Sequence, residues 1–309
     1  MDGSPATRVF SGPPSEEDLR PLEPDVKQIL IRKSLDQADY DRIGDLCAGR
    51  DDLHLFIQNR DEDVSVLEAF PRLRSFEVAS LRLRSLAGLE CAAATLESLT
   101  VSDTLKTVRL DPLNQLDRLR HLHLDGHRSG IEVIAGLTGL ERITLRSVTL
   151  PDLSVLVPLE KLWWFALKLG GTKDLGLLPK IGRLRYLEIW RVRGLKDLQA
   201  LGSLPHLESL HLQSMGRVTQ LPSLAGAVSL RRVVLDSMKG ITDLAPLASA
   251  PVLEDLLLVS MGHLEPEAVL PFVDHPTLRA AVLGLGSMKK NEAAAELLPL
   301  PNPGDFEFL

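Results

Sequence analysis

Aromatic side chains make up only 4% of the 309 residues: three Trp, two Tyr and eight Phe. A large core must therefore be aliphatic, and a hydrophobic content of 44% can supply it. Cysteine occurs twice, at Cys47 and Cys91. Two thiols without metal-site spacing neither hold a structural zinc nor staple a secreted scaffold. No run of about 18 apolar residues is present, which excludes an ordinary membrane-spanning helix. The net charge of −7 lacks the basic excess of a general nucleic-acid binder. The stretch MDGSPATRVFSGPPSEEDLRPLEPD has no basic segment followed by an apolar one, so a signal peptide is not expected. These absences lead to the expectation of a soluble, cytoplasmic, monomeric protein with neither membrane nor nucleic acid as partner.

What is present is a period. The phrase Leu-x-x-Leu-x-Leu recurs, and its last apolar residue falls at Val78, Val101, Leu124, Leu145, Leu167, Ile189, Leu212, Leu235 and Leu258, at intervals of 21 to 23 residues. Degenerate copies end at Val9, Ile31 and Leu55. After Leu258 the next copy ends at either Leu283 or Leu285. Each apolar-x-apolar unit reads as a short strand with one side buried. In LESLHLQS, Leu210 and Leu212 point inward while His211 and Gln213 point outward. Leucines at about every third residue, such as Leu221, Leu224 and Leu230, fit tight irregular or 3₁₀ turns over the same core. One such unit cannot bury its own apolar face, so neighbours must stack.

The stretch GITDLAPLASAPVLEDLLL, Gly240 to Leu258, resembles the leucine-rich repeat family in its short bacterial, internalin-like form. The resemblance covers the whole chain, more weakly before Arg72. It implies an α/β solenoid: a curved array with a parallel β-sheet on the concave face and irregular, 3₁₀ or short helical segments on the convex face. One solenoid over residues 1–309 is expected. Residues 1–70 form degenerate repeats and a cap, 71–283 regular repeats of 21–25 residues, and 284–309 a C-terminal cap in which Phe306 and Phe308 fit a last strand. In this family the residue three after the last strand leucine is usually Asn, which satisfies buried backbone groups. Here that site holds Val148, Val192, Met215, Met238 and Met261, often preceded by serine (Ser147, Ser214, Ser237, Ser260). Two readings stand: the serine hydroxyls take over backbone hydrogen bonding while Met or Val fills the core, or the turn is looser and satisfied by water.

Catalytic patterns are thin. In HLHLDGH, residues His121, His123 and Asp125 alternate outward on a strand with His127 just beyond, a pattern that can share a metal. Outward positions must be polar in any case, so ordinary surface histidines explain it equally. LGLGSMKK and LGGTKD lack the spacing of a phosphate loop. Neither an enzyme, a cofactor nor a metal is expected; the alternative is an enzyme or metal site on the His121/His123/Asp125 strand. A secreted adhesin is disfavoured.

The outward rows single out one patch. All three Trp and one Tyr lie in two neighbouring repeats: Trp163, Trp164, Tyr186 and Trp190. Trp164, Tyr186 and Trp190 fall at outward positions near Arg142, Arg146, Lys168 and Arg191, with Glu188 between them and His121 and His123 two repeats earlier. Exposed Trp and Tyr beside Arg are typical of protein interfaces. The expected function is a non-catalytic scaffold holding a protein or peptide, with an acidic or phosphorylated feature, on its concave face. An immunity-type protein or an adaptor fits equally. The bland alternative is that the rings lie flat as cover for the sheet.

Overall fold

The computed structural model describes residues 6–104, 107–126 and 129–304. Phe306, Phe308 and His127 lie outside them. Thirteen strands form one open sheet in strict chain order: β1 (Ala6–Phe10), β2 (Val26–Ile31), β3 (His54–Ile57), β4 (Ser75–Ala79), β5 (Ser98–Ser102), β6 (His121–Asp125), β7 (Arg142–Arg146), β8 (Trp164–Lys168), β9 (Tyr186–Trp190), β10 (Ser209–Gln213), β11 (Arg232–Asp236), β12 (Asp255–Val259) and β13 (Ala280–Leu283). Short 3₁₀ turns such as Asp111–Gln115 and Gln199–Ser203 link many of them. The chain divides into two compact units, Met1–Ile143 and Thr144–Leu309.

In the second unit the parallel register has no offset. Leu167, Ile189, Leu212, Leu235, Leu258 and Leu283 are successive partners. A constant register turns each leucine position into a continuous apolar column, and almost all of these side chains are fully buried. Each buried Leu contributes roughly 1.5–3 kcal/mol. The column also settles the last copy: Leu283, not Leu285, pairs with Leu258. Ser287-Met288 only imitates the repeat. Ser287 caps helix α2 (Met288–Leu297), its hydroxyl oxygen accepting from the Lys290 N–H at 3.3 Å, and Met288 is 76% exposed.

The Ser-Met positions end each strand in a sharp turn. Ser147, Ser214, Ser237 and Ser260 have φ of 53–57°, as does Leu169 at 56°, and Arg191 has 49°. This left-handed step aims the backbone N–H along the ladder: Ser214 N donates to Asp236 O at 2.8 Å and Ser237 N to Val259 O at 2.9 Å. The main chain, rather than the serine hydroxyl, thus makes the inter-repeat bond. The Ser237 hydroxyl bonds instead to the Asp236 carboxylate at 2.7 Å. Met215, Met238 and Met261 are buried as expected. Met261 does more than fill space: its sulfur accepts from the Met238 N–H at 3.3 Å, a weak substitute for an amide oxygen.

In the first unit the degenerate repeats are real, but two of the expected registers shift. Phe10, not Val9, pairs with Ile31, and Ile57, not Leu55, pairs with both Ile31 and Val78. Phe10 is 2% exposed and Val9 39%. At β3 the shift is by two residues and keeps the same face: Leu53, Leu55 and Ile57 are all buried, so each could end the copy, and only pairing selects Ile57. Helix α1 (Gln37–Leu46) sits against the turn Ser65–Ala69. Gly44 allows this approach, since a Cβ there would lie 2.1 Å from Ala69 O. A buried polar knot fixes the helix: Tyr40 donates to Asp61 at 2.6 Å, and the Asn59 amide donates to Tyr40 and Asp61 at 3.2 and 2.6 Å. Residues 6–70 thus contribute β1, β2 and β3 to the sheet, with α1 between β2 and β3.

Candidate functional site

The site is assembled on the polar side of β8, β9 and β10, inside the second unit. Trp164 and Tyr186 are direct cross-strand partners. Their rings stack with centroids 3.6 Å apart and planes within 11°. Trp163, just before β8, meets Trp164 edge-on at 5.9 Å, and the Arg185 guanidinium lies 5.6 Å from the Trp163 centroid. Arg185 is itself held by Glu208 through bonds of 2.6 and 3.0 Å. The rings are half-buried rather than broadly exposed, because each covers a face of its neighbour.

Next in the strand direction lies a charged centre. Glu188 is outward by alternation yet only 7% exposed. Tyr186 donates to its Oε2 at 3.1 Å and Lys168 Nζ lies 2.8 Å from the same oxygen. His211 Nδ1 stands 3.9 Å from Oε1. Burial first, then the Glu188 charge, pushes the Tyr186 phenol well above its ordinary range. Burial lowers the His211 imidazole below its ordinary value, against the opposing pull of Glu188 and Asp236. Among the described residues, His211 Nε2 is the one buried side-chain polar atom without a hydrogen-bond partner. Trp190 is paired in register with Lys168 and Gln213, and Gln213 donates to Asp236 at 2.7 Å. Arg146 ends β7 on the outward side.

The structure thus brings Trp164, Tyr186, Lys168, Glu188 and Trp190 together on two adjacent strands. Glu188 acts from beneath, as the acceptor that fixes Tyr186 and Lys168. His211 was legible only as an outward polar residue; its orphaned nitrogen follows from packing that no local pattern encodes. His121, His123 and Arg142 lie in the first unit. His121 and His123 occupy half-buried outward positions on β6 and Arg142 an exposed one on β7. Burial, and then Arg142, lower the His121 imidazole.

The arrangement offers little for covalent chemistry. Among the described residues no group of three or more His, Cys, Asp or Glu is placed to hold a metal, and Glu188 is engaged by a cation and a phenol. Elsewhere, a cavity of about 570 Å³ in the first unit is lined by Ile29, Leu55, Phe70, Cys47 and Arg50, among others. Burial pushes the Cys47 thiol up to about 12, so it stays protonated and is not an activated nucleophile. No helix among the described residues is long and apolar enough to cross a membrane.

The sequence matches no protein-family model and no curated protein. Solved structures do resemble it. An internalin from Listeria monocytogenes superposes with a TM-score of 0.61 at 17% identity, covering 92% of this chain and 82% of the internalin. An internalin C2 from the same organism gives 0.44 at 21% identity, over 71% and 83% of the two chains. A leucine-rich repeat protein of Leptospira interrogans gives 0.36 at 14% identity, over 91% and 92%. The last two values are too low to bear weight, and the first speaks for fold alone. Joined to the ordered parallel sheet and its 3₁₀ turns, it shows that this chain has an internalin-like leucine-rich repeat fold.

Proposed function

We propose that the chain is a non-catalytic binding scaffold, and that the aromatic face of β8 and β9 holds a protein or peptide partner. The observation that carries this reading is the Trp164–Tyr186 stack with Lys168 beside it, placed on the polar side of the sheet. The core beneath is already closed by Phe165, Leu167, Leu187 and Ile189, all fully buried. Three of the chain's five Trp and Tyr residues thus stand where packing does not require them, in a residue mix that dominates interface hot spots. Arg146, Lys168 and Arg185 favour a partner with an acidic or phosphorylated feature. Arg142, His121 and His123 are proposed separately, as partner contacts on the first unit's own polar face. The proposed setting is the cytoplasm, as a monomer built as one solenoid.

The test is capture from native lysate with mass spectrometry, comparing wild type with the Trp164→Ala/Tyr186→Ala double variant. A protein retained by wild type and lost by a folded double variant supports the reading. Identical partners for both would move the binding surface elsewhere.

A further inference from the structure

The layers of the first unit are uneven at one place. Between β2 and β3 the chain runs through α1, whereas the next layer carries the 3₁₀ turn Ser65–Ala69. An α-helix is wider than a 3₁₀ turn, so the two layers do not match along their whole length. They meet at Gly44, where a Cβ would lie 2.1 Å from Ala69 O. Past that contact lies the cavity of about 570 Å³, lined by residues 47–51 of one layer and 69–74 of the other. Its floor is apolar core: Ile29, Leu53, Leu55, Phe70 and Leu73 are each at most 7% exposed. Its lip, which includes Ala48, Asp51 and Arg72, is exposed.

Most polar groups around the cavity are satisfied within the chain. Arg74 pairs with Asp51 at 2.8 Å and Arg50 with Asp52 at 2.7 Å. The Thr95 hydroxyl donates to Leu73 O at 2.8 Å. At the end of α1, Ile43 O and Gly44 O accept from the Cys47 N–H, and Asp45 O accepts from the Ala48 N–H. Arg72 and Asp45, both in the lining, form no ion pair among the described residues. Their charges are opposite, so together they favour neither sign of ligand. We propose that this cavity binds an uncharged, apolar small molecule, independently of the aromatic face in the other unit. Its volume falls within the range of about 300–1,000 Å³ usual for ligand pockets. An ion entering it would lose hydration without gaining a partner. An apolar molecule gains from the area that it and the floor side chains remove from water.

The probe is N-phenyl-1-naphthylamine, an uncharged dye that brightens in apolar sites, titrated into the full chain. The competitors are 1-decanol, decanoate and decylammonium. Saturable binding of one dye per chain is expected, with decanol displacing it at about tenfold lower concentration than either ion. Ala48→Trp puts a large side chain at an exposed position of the lip. It should weaken dye binding by about tenfold or more without changing the melting temperature. Methyl NMR of the unaltered chain keeps the test independent of that variant. Decanol should shift the Ile29, Leu53, Leu55 and Leu73 signals and leave those of Leu212 and Leu235 in place. Absence of saturable binding would overturn the site. So would dye binding that survives Ala48→Trp with those four signals unmoved. Dye binding lost in Trp164→Ala/Tyr186→Ala but kept in Ala48→Trp would place the dye on the aromatic face and equally overturn the inference. Displacement by either ion as good as by decanol would contradict the uncharged class of ligand.

Discussion

His121 and His211 occupy half-buried outward positions, and burial holds both imidazoles below their ordinary value of 6.5. In the unfolded chain each ring takes a proton near that value. As pH falls through 6.5 the unfolded state therefore binds protons that the folded state refuses, and stability declines until the lowered folded value is reached. Urea midpoints should fall between pH 7 and pH 5.5, and His211→Gln should flatten part of that slope. A midpoint that rises on acidification would show that Glu188 and Asp236 outweigh burial. At the same scale, the recurring Ser-Met pair was visible in the sequence but its reason was not. The pair marks a left-handed residue followed by a core residue, and Leu169 and Arg191 adopt the same backbone without any residue-type signal. Backbone conformation at a strand end is imposed by the ladder, which a single repeat does not reveal.

Among the elements, the regular strands β4 to β12 were legible because alternation and period agree there; each falls where its leucines placed it. The ends were less so. β1 slipped by one residue and β3 by two, the latter because Leu53, Leu55 and Ile57 share one buried face, and α2 was hidden behind a serine that looked like a repeat residue. The register carries a direct consequence for stability. Leu212 is fully buried in its column, so Leu212→Ala should cost roughly 2–5 kcal/mol by opening a cavity. Lys239→Ala, in the exposed turn after β11, should cost under about 0.5 kcal/mol. Equal costs in chemical denaturation would show the register to be wrong. Removing residues 1–70 strips β3 from β4 and bares one end of the stack. The fragment 71–309 should be insoluble or melt far lower than the full chain; a fragment of unchanged melting temperature would mean that β1 to β3 add nothing to the stack.

At the level of the whole molecule, the repeat explains why a chain so poor in aromatics can fold. Aliphatic columns need only length, and each added repeat buries the face of the one before. Three of the five Trp and Tyr, namely Trp164, Tyr186 and Trp190, lie at outward positions of two adjacent strands, while Tyr40 is buried on α1. The grouping of Trp164, Tyr186, Lys168 and Trp190 was readable from period and alternation alone. The 3.6 Å stack, the burial of Glu188 and the bond from Arg232 to the Gly304 carbonyl were not, since each depends on groups far apart in the chain meeting. The most direct test of the docking face is to measure Trp164→Ala twice, once for affinity toward the partner recovered by capture and once for unfolding. As an interface anchor it should lose about 2 kcal/mol or more of binding, with only about 0.5–1.5 kcal/mol of stability lost with the stack. A stability loss of about 3 kcal/mol or more, as for a core Trp, with affinity unchanged, would contradict the account and make the rings structural cover.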